Sequence, residues 1–205
     1  MASSLSLRSV IVPLLLLGAV AGCDKQNEAA PQATPSTPPA DEIGTGVARA
    51  PAKDDKVAVD VIGTLDRSHK GETAPDIAFT DPAGKPSSVK AFAGKPILLN
   101  LWATWCGPCV TEMPTLDKAA ADITVVSVSQ DLGADGAAKA AKFLKDHGVT
   151  HLQSYADPET KLSVAYNASL PTSILYDSTG HEVWRMTGGM DWTTETAKQL
   201  LAEAR

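Results

Sequence analysis

Cysteine is scarce in this chain: three in 205 residues, Cys23, Cys106 and Cys109. Two of them form a Cys-x-x-Cys pair and the third lies far away, so none remains for a structural disulfide. Positive charge is in deficit, with 18 Lys and Arg against 24 Asp and Glu and a formal charge of −6. The basic footprint of a nucleic-acid-binding protein is therefore missing. Zinc normally takes four ligands, and no second Cys-x-x-Cys or His pair completes a site, so no metal is expected. His147 and His151 stand four apart, but Gly148 breaks the helix between them. No nicotinamide or flavin motif is present, so no cofactor is expected and electrons must come from outside. The apolar stretch near the start, Val10 to Gly22, has 13 residues, short of the ~20 that span a bilayer. No internal repeat is visible.

What stands at the N-terminus reads as a targeting segment. Arg8 supplies a positive n-region and Val10 to Val20 an apolar h-region. Val20-Ala21-Gly22-Cys23 resembles a bacterial lipobox, in which the signal is cut before the cysteine and the cysteine carries lipid. The rival cut follows Ala19-Val20-Ala21. Asp24 resembles an inner-membrane retention signal of enteric-type lipoproteins. From Lys25 to about Asp55, prolines at 31, 35, 38, 39 and 51 alternate with Ala, Thr, Glu and Gln. Such a stretch cannot bury enough apolar surface to offset its ordering entropy and reads as an extended linker. The expected division is a signal at 1–22, a lipid-anchored linker at 23–56 and one domain at 57–205, with its core from about residue 70. Either cleavage exports the domain, and outside the cytoplasm a Cys-x-x-Cys pair needs dedicated partners to hold its redox state.

The pair itself sits in Trp105-Cys106-Gly107-Pro108-Cys109. The apolar run Pro96 to Ala103 before it reads as a buried strand, and Val110 to Ala121 after it as a helix. A cysteine at a helix N-terminus meets unpaired N–H groups and a partial positive charge, which favour the thiolate. Further on, Ile77 to Thr80, Ile123 to Gln130, Leu152 to Tyr155, Thr172 to Tyr176 and Glu182 to Met186 read as strands. Ala137 to His147, Pro158 to Tyr166 and Thr193 to Ala204 read as helices. Turns are expected at Asp81 to Lys85 and Ser178 to Gly180, and Val57 to Leu65 is either a strand or a docking segment. This order makes an α/β sandwich with a mixed sheet.

The cysteine motif after a strand, with Ser169-Leu170-Pro171-Thr172 about 60 residues later, resembles the thioredoxin fold. Within that superfamily the chain is similar to the TlpA-like membrane-anchored thiol–disulfide reductases, kin to the cytochrome c maturation thioredoxins. Gly71 to Asp76, Asn100 to Trp105 and Glu112-Met113-Pro114 support the likeness, which covers residue 70 to the C-terminus. It implies a central mixed β-sheet flanked by helices on both faces, and a cis Pro171 opposite the cysteines. That proline would free the backbone of Leu170 to pair with an extended substrate and would keep metal from the sulfurs. Two departures from ordinary thioredoxin matter. Asn100 stands where that protein has a buried Asp, and its companion Lys is absent from Val125 to Gln130. The TlpA-like relatives offer a Glu three residues after the second cysteine, matched by Glu112.

Spacing alone also singles out Glu112. It shares a helix face with Cys109 and Leu116, so either it points inward beside the buried thiol and carries its proton, or it lies exposed on the helix flank. Cys106 is the expected nucleophile and Cys109 the resolving cysteine. Trp105, Gly107, Pro108, Leu170 and Thr172 are expected to contact substrate, Trp102 to be core, Pro114 to kink its helix, and Trp184 and Trp192 to be structural. The Gly107-Pro108 dipeptide resembles that of reducing thioredoxins. The expected activity is reduction of disulfides in exported proteins, apocytochrome c or a copper-site assembly protein by resemblance. Electrons would come from a membrane dithiol carrier, with the chain held by lipid at Cys23 on the outer side of the inner membrane. Three alternatives stand: an exported thiol oxidase, a redox-inert docking module, and a peroxiredoxin-like peroxidase. The peroxidase needs a Pro and a Thr just before its cysteine, and here Thr104 is present while the nearest upstream proline is Pro96.

Overall fold

The computed structural model describes residues 63–204. The expected signal, Cys23, the linker and residues 57–62 lie outside the described residues. Among the described residues eight strands form one sheet in the order β1-β8-β7-β4-β5-β6-β2-β3. At its centre is β4 (Ile97–Trp102), every residue of which is buried. It pairs in parallel with β5 (Thr124–Ser129) and antiparallel with β7 (Thr172–Tyr176). A strand covered on both faces has no polar side to present, which is why its sequence runs apolar without alternation. Asn100 is the one polar residue in that run.

Around this centre, β7 turns into β8 (Glu182–Thr187), and β1 (Thr64–Asp66) adds antiparallel to β8. The described end of the undecided segment is thus an edge strand. On the other side, β6 (Tyr155–Ala156) pairs with β5, and the short β2 (Phe79–Thr80) and β3 (Pro86–Ser87) close that edge. Helices cover both faces. The helices α1 (Gly107–Ala119), α2 (Gly136–Asp146) and α4 (Glu195–Ala202) share one core with Leu98, Trp102, Val125, Leu175 and Trp184. The short α3 (Lys161–Ala165) and a 3₁₀ turn over Val89–Phe92 pack on the other face, against Leu99, Leu101, Val126 and Ile174.

Several boundaries differ from expectation for identifiable reasons. Ile77 donates its N–H to Pro75, which removes it from the ladder and shortens that strand to Phe79–Thr80. Leu152 is not in a strand, because its N–H and those of Thr150 and His151 are taken by the Asp117 carboxylate on α1. The expected helix from Pro158 starts only at Lys161: Thr160 takes a left-handed conformation, and the Asp157 carboxylate accepts the N–H of Leu162. The helix after the cysteines begins earlier than expected, at Gly107, because Pro108 suits the first turn, where no N–H is needed. Trp102, Trp184 and Trp192 are core, and Pro114 lies inside α1.

Candidate active site

The central strand delivers the chain to the redox pair. β4 ends at Trp102, and Cys106 is the N-cap of α1, its Sγ accepting the N–H of Cys109 at 3.3 Å. The two sulfurs are bonded at 2.06 Å, with Cα atoms 5.3 Å apart. Cys106 is 6% exposed and Cys109 0%, so only the first sulfur reaches the surface. Beside it Trp105 is 67% exposed, and Gly107 and Pro108 are exposed too. When the pair is open, the N–H groups of the first helical turn and the helix dipole favour a thiolate at Cys106.

The loop that carries Cys106 is fastened from below by Asp131, which the sequence reasoning missed. One carboxylate oxygen accepts the Thr104 hydroxyl at 2.6 Å, and the other accepts the Thr104 N–H at 3.0 Å and the Ser129 hydroxyl at 2.7 Å. Asp131 is buried, at the end of the strand next to β4. Its backbone is met at close range by Gly136, where a Cβ would stand 2.1 Å from the Asp131 carbonyl oxygen. Only glycine allows α2 to start there. An Asp two residues past a β-branched strand carries no local mark of this role. The signal is parallel pairing, which sets the β5 end level with the β4 end.

Glu112 points inward, on the buried face one turn after Cys109. Its Oε1 accepts the Asn100 amide Nδ2 at 3.0 Å and its Oε2 accepts the Met190 N–H at 3.0 Å. The Trp192 side chain is a third neighbour, and its Nε1 makes no bond of hydrogen-bond geometry. Burial is the dominant influence and raises the Glu112 carboxyl to about 7, while the Met190 and Asn100 donors, which favour the carboxylate, offset only part of it. A carboxyl that titrates near neutrality can accept or return a proton at physiological pH. Gly189 passes close by: a Cβ there would sit 3.8 Å from Glu112 Oε2 and 3.7 Å from the Pro108 carbonyl oxygen.

The Leu170–Pro171 peptide is cis, as the resemblance implied. Pro171 comes just before β7, whose Thr172 is opposite Leu101, so it stands at the end of the sheet from which the cysteine loop departs. Its carbonyl accepts the Gly188 N–H at 2.8 Å. Leu170 is half-buried and packs against both cores. The expectation that Thr172 contacts substrate needs correction. Its side chain is buried and its hydroxyl donates to the Ser169 carbonyl at 2.6 Å, so it braces the loop from within. Among the described residues no group of three or more His, Cys, Asp or Glu side chains is placed to hold a metal. None of the described helices is long and apolar enough to cross a membrane.

A helix-capping cysteine joined to a buried one, at the end of the central strand of a mixed sheet and beside a cis-proline loop, defines a thioredoxin-fold thiol–disulfide oxidoreductase. The model of the Redoxin family matches residues 69–201. Thiol-disulfide oxidoreductase ResA of Geobacillus kaustophilus (strain HTA426) is 33% identical over 128 residues, 58% of this chain and 70% of that protein. The crystal structure of a putative thiol:disulfide interchange protein DsbE from Chlorobium tepidum aligns with a TM-score of 0.58 at 28% identity, covering 66% of this chain and 98% of that one. The pneumococcal exposed lipoprotein thioredoxin Etrx1 from Streptococcus pneumoniae strain TIGR4 aligns with a TM-score of 0.52 at 28% identity, over 63% of this chain and 99% of that one. The chain belongs to the Redoxin family and is a TlpA/ResA-like member of the thioredoxin superfamily.

Proposed function

We propose that this oxidoreductase works as an exported, membrane-anchored reductase of protein disulfides. The observation that carries the disulfide exchange is the asymmetry of the pair: Cys106, 6% exposed, on a helix N-terminus, and Cys109 sealed behind it one turn from Glu112. In the reduced protein the Cys106 thiolate attacks a substrate disulfide. A Cys106–substrate bond forms, and the first substrate sulfur leaves as a thiolate that takes a proton from water. Cys109 then gives its proton to the Glu112 carboxylate and attacks Cys106 Sγ. The Cys106–Cys109 bond closes, and the second substrate sulfur leaves as a thiolate. The substrate gains two electrons and the protein is left oxidised. An incoming dithiol restores it by the reverse exchange. Trp105, Gly107 and Pro108 flank the reacting sulfur, and Leu170 with Pro171 offers backbone for an extended substrate.

Reduction rather than oxidation is favoured by the Gly107-Pro108 dipeptide. Export and anchoring at Cys23 rest on Arg8, the apolar Val10 to Val20 and the Val20-Ala21-Gly22-Cys23 junction. The structural likeness to a protein described as an exposed lipoprotein agrees with that reading. Apocytochrome c and copper-site assembly proteins are the substrate classes, and a membrane dithiol carrier the electron donor. The reduction potential of the Cys106–Cys109 pair, measured in the whole chain against glutathione, tests the direction. A value below about −220 mV fits a reductant, and one near about −120 mV overturns the reading in favour of a disulfide donor. Lipid labelling that persists in Cys23→Ser would overturn the anchor.

A further inference from the structure

Asn100 interrupts an otherwise apolar central strand, and its neighbours explain what it does there. Its register partners are Ser173 on β7 and Ser127 on β5. The three side chains make a buried polar row across the three central strands, on the face that α1 covers. The amide Nδ2 has two hydrogens and both are used, one on Glu112 Oε1 and one on Ser173 Oγ, each at 3.0 Å. The amide Oδ1 has no partner, and neither has the hydroxyl of its register partner Ser127. Among the described residues Asn100 Oδ1 is the only buried, unpaired side-chain oxygen that cannot act as a donor. An unpaired buried acceptor is unfavourable, and a group that becomes a donor in another state of the protein would relieve it.

Reduction creates such a donor. Opening the Cys106–Cys109 bond takes up two electrons from an incoming dithiol, leaving a thiolate at Cys106 and, with one proton, an S–H at Cys109. Cys109 is fully buried on the same face, one turn before Glu112. We infer that Asn100 is a positioning residue that couples the redox state of Cys109 to the carboxyl of Glu112: Nδ2 aims the carboxyl, and Oδ1 presents the acceptor for the Cys109 S–H that reduction creates. The inference rests on the proton-transfer role given to Glu112 above. An amide suits the position because it is neutral. An Asp here would set a second carboxylate within hydrogen-bond reach of Glu112 and divide one titration between two groups. The groups that face Glu112 are Cys109 on its own helix, Asn100 on β4, and the Met190 N–H, Gly189 and Trp192 beyond β8; none of these carries a fixed charge.

The test uses a mixed disulfide between Cys106 and thionitrobenzoate in the full chain. Attack by Cys109 releases the coloured thiolate, so the resolving step is read directly as a function of pH. Asn100→Leu removes a donor that favours the Glu112 carboxylate and the acceptor for the thiol. It should slow release about tenfold at pH 7 and move the midpoint of the pH profile upward by about one pH unit. Asn100→Asp should replace the single midpoint by two. A folded Asn100→Leu variant with an unmoved midpoint overturns the inference. If that variant does not fold, the side-chain amide signal of Asn100, followed by nitrogen-15 NMR in the unsubstituted chain, decides. It should differ between the oxidised and reduced protein and follow the Glu112 titration, and a signal unchanged by both overturns the inference. A chain that fails to reduce protein disulfides while this signal tracks redox state would refute the reductase reading alone. An active reductase with an unmoved signal would refute this inference alone.

Discussion

Glu112 and Asp117 lie on the same helix, both buried, and the protein treats them in opposite ways. Burial pushes the Glu112 carboxyl up to about 7, because one amide and one backbone N–H cannot replace its lost hydration. Burial also acts against the Asp117 carboxylate, but the His151 ring and the backbone N–H groups of His151, Thr150 and Leu152 together outweigh it and hold that carboxyl below its ordinary value. Asp117 lies nearer the surface than Glu112 and also meets more donors, and both differences keep its carboxyl low. Desolvation and donor number act together. Asp117 is fully spoken for and clamps the loop after α2 to α1. Glu112 is underserved and stays available at neutral pH.

The largest expected effect of the Glu112 environment is on the pH dependence of stability. The folded protein holds the Glu112 proton where the unfolded chain has lost it, so stability should fall as pH rises from about 4.5 to about 7, by about 3 kcal/mol, and level off above. Denaturant unfolding across that range in the unsubstituted chain and in Glu112→Gln should show a slope that the variant lacks. Next in size, Glu112→Gln should slow the resolving step about 100-fold at pH 7, equivalent to about 2.7 kcal/mol, with circular dichroism unchanged. An unaltered rate would end the proton-transfer role. Asp117→Ala should destabilise by about 2 kcal/mol through three orphaned N–H groups, yet leave the pH profile of thiol exchange where it was; a moved profile would break the contrast between the two carboxyls. The smallest effect belongs to Asp117→Asn, about 1 kcal/mol near neutrality. The Asp117 carboxylate stabilises above its unfolded titration and loses that contribution as pH falls through its lower native one. The deficit of the Asn variant should therefore vanish in acid.

Much of this was legible in the sequence. The apolar run from Ile97 to Trp102 announced a strand buried on both faces, and the Cys-Gly-Pro-Cys junction announced the start of a helix. Helical spacing put Glu112 and Leu116 on one side with Cys109, and all three are buried. Other features were not legible, because they depend on partners distant in the chain. Asp117 captures residues 150 to 152, more than thirty positions away, and confines to Tyr155–Ala156 a strand that local propensity began at Leu152. Asp131 holds Thr104 across the end of two parallel strands, a pairing with no local signature. Asn100 was visible only as a departure. Its use depends on Ser173, 73 residues on, and on which side of the sheet α1 covers.

The redox chemistry and the fold class follow from short-range features of the chain. Two cysteines on the first turn of a helix, and the periodicity of the elements around them, are local facts that hydrogen-bond geometry and apolar burial convert directly into structure. The tuning of the site comes from contacts between segments far apart in the chain. A carboxyl titrates where its surroundings place it, and those of Glu112 are assembled from β4, α1 and the segment after β8. Desolvation and donor count are properties of that assembled interior, and no stretch of sequence carries them alone.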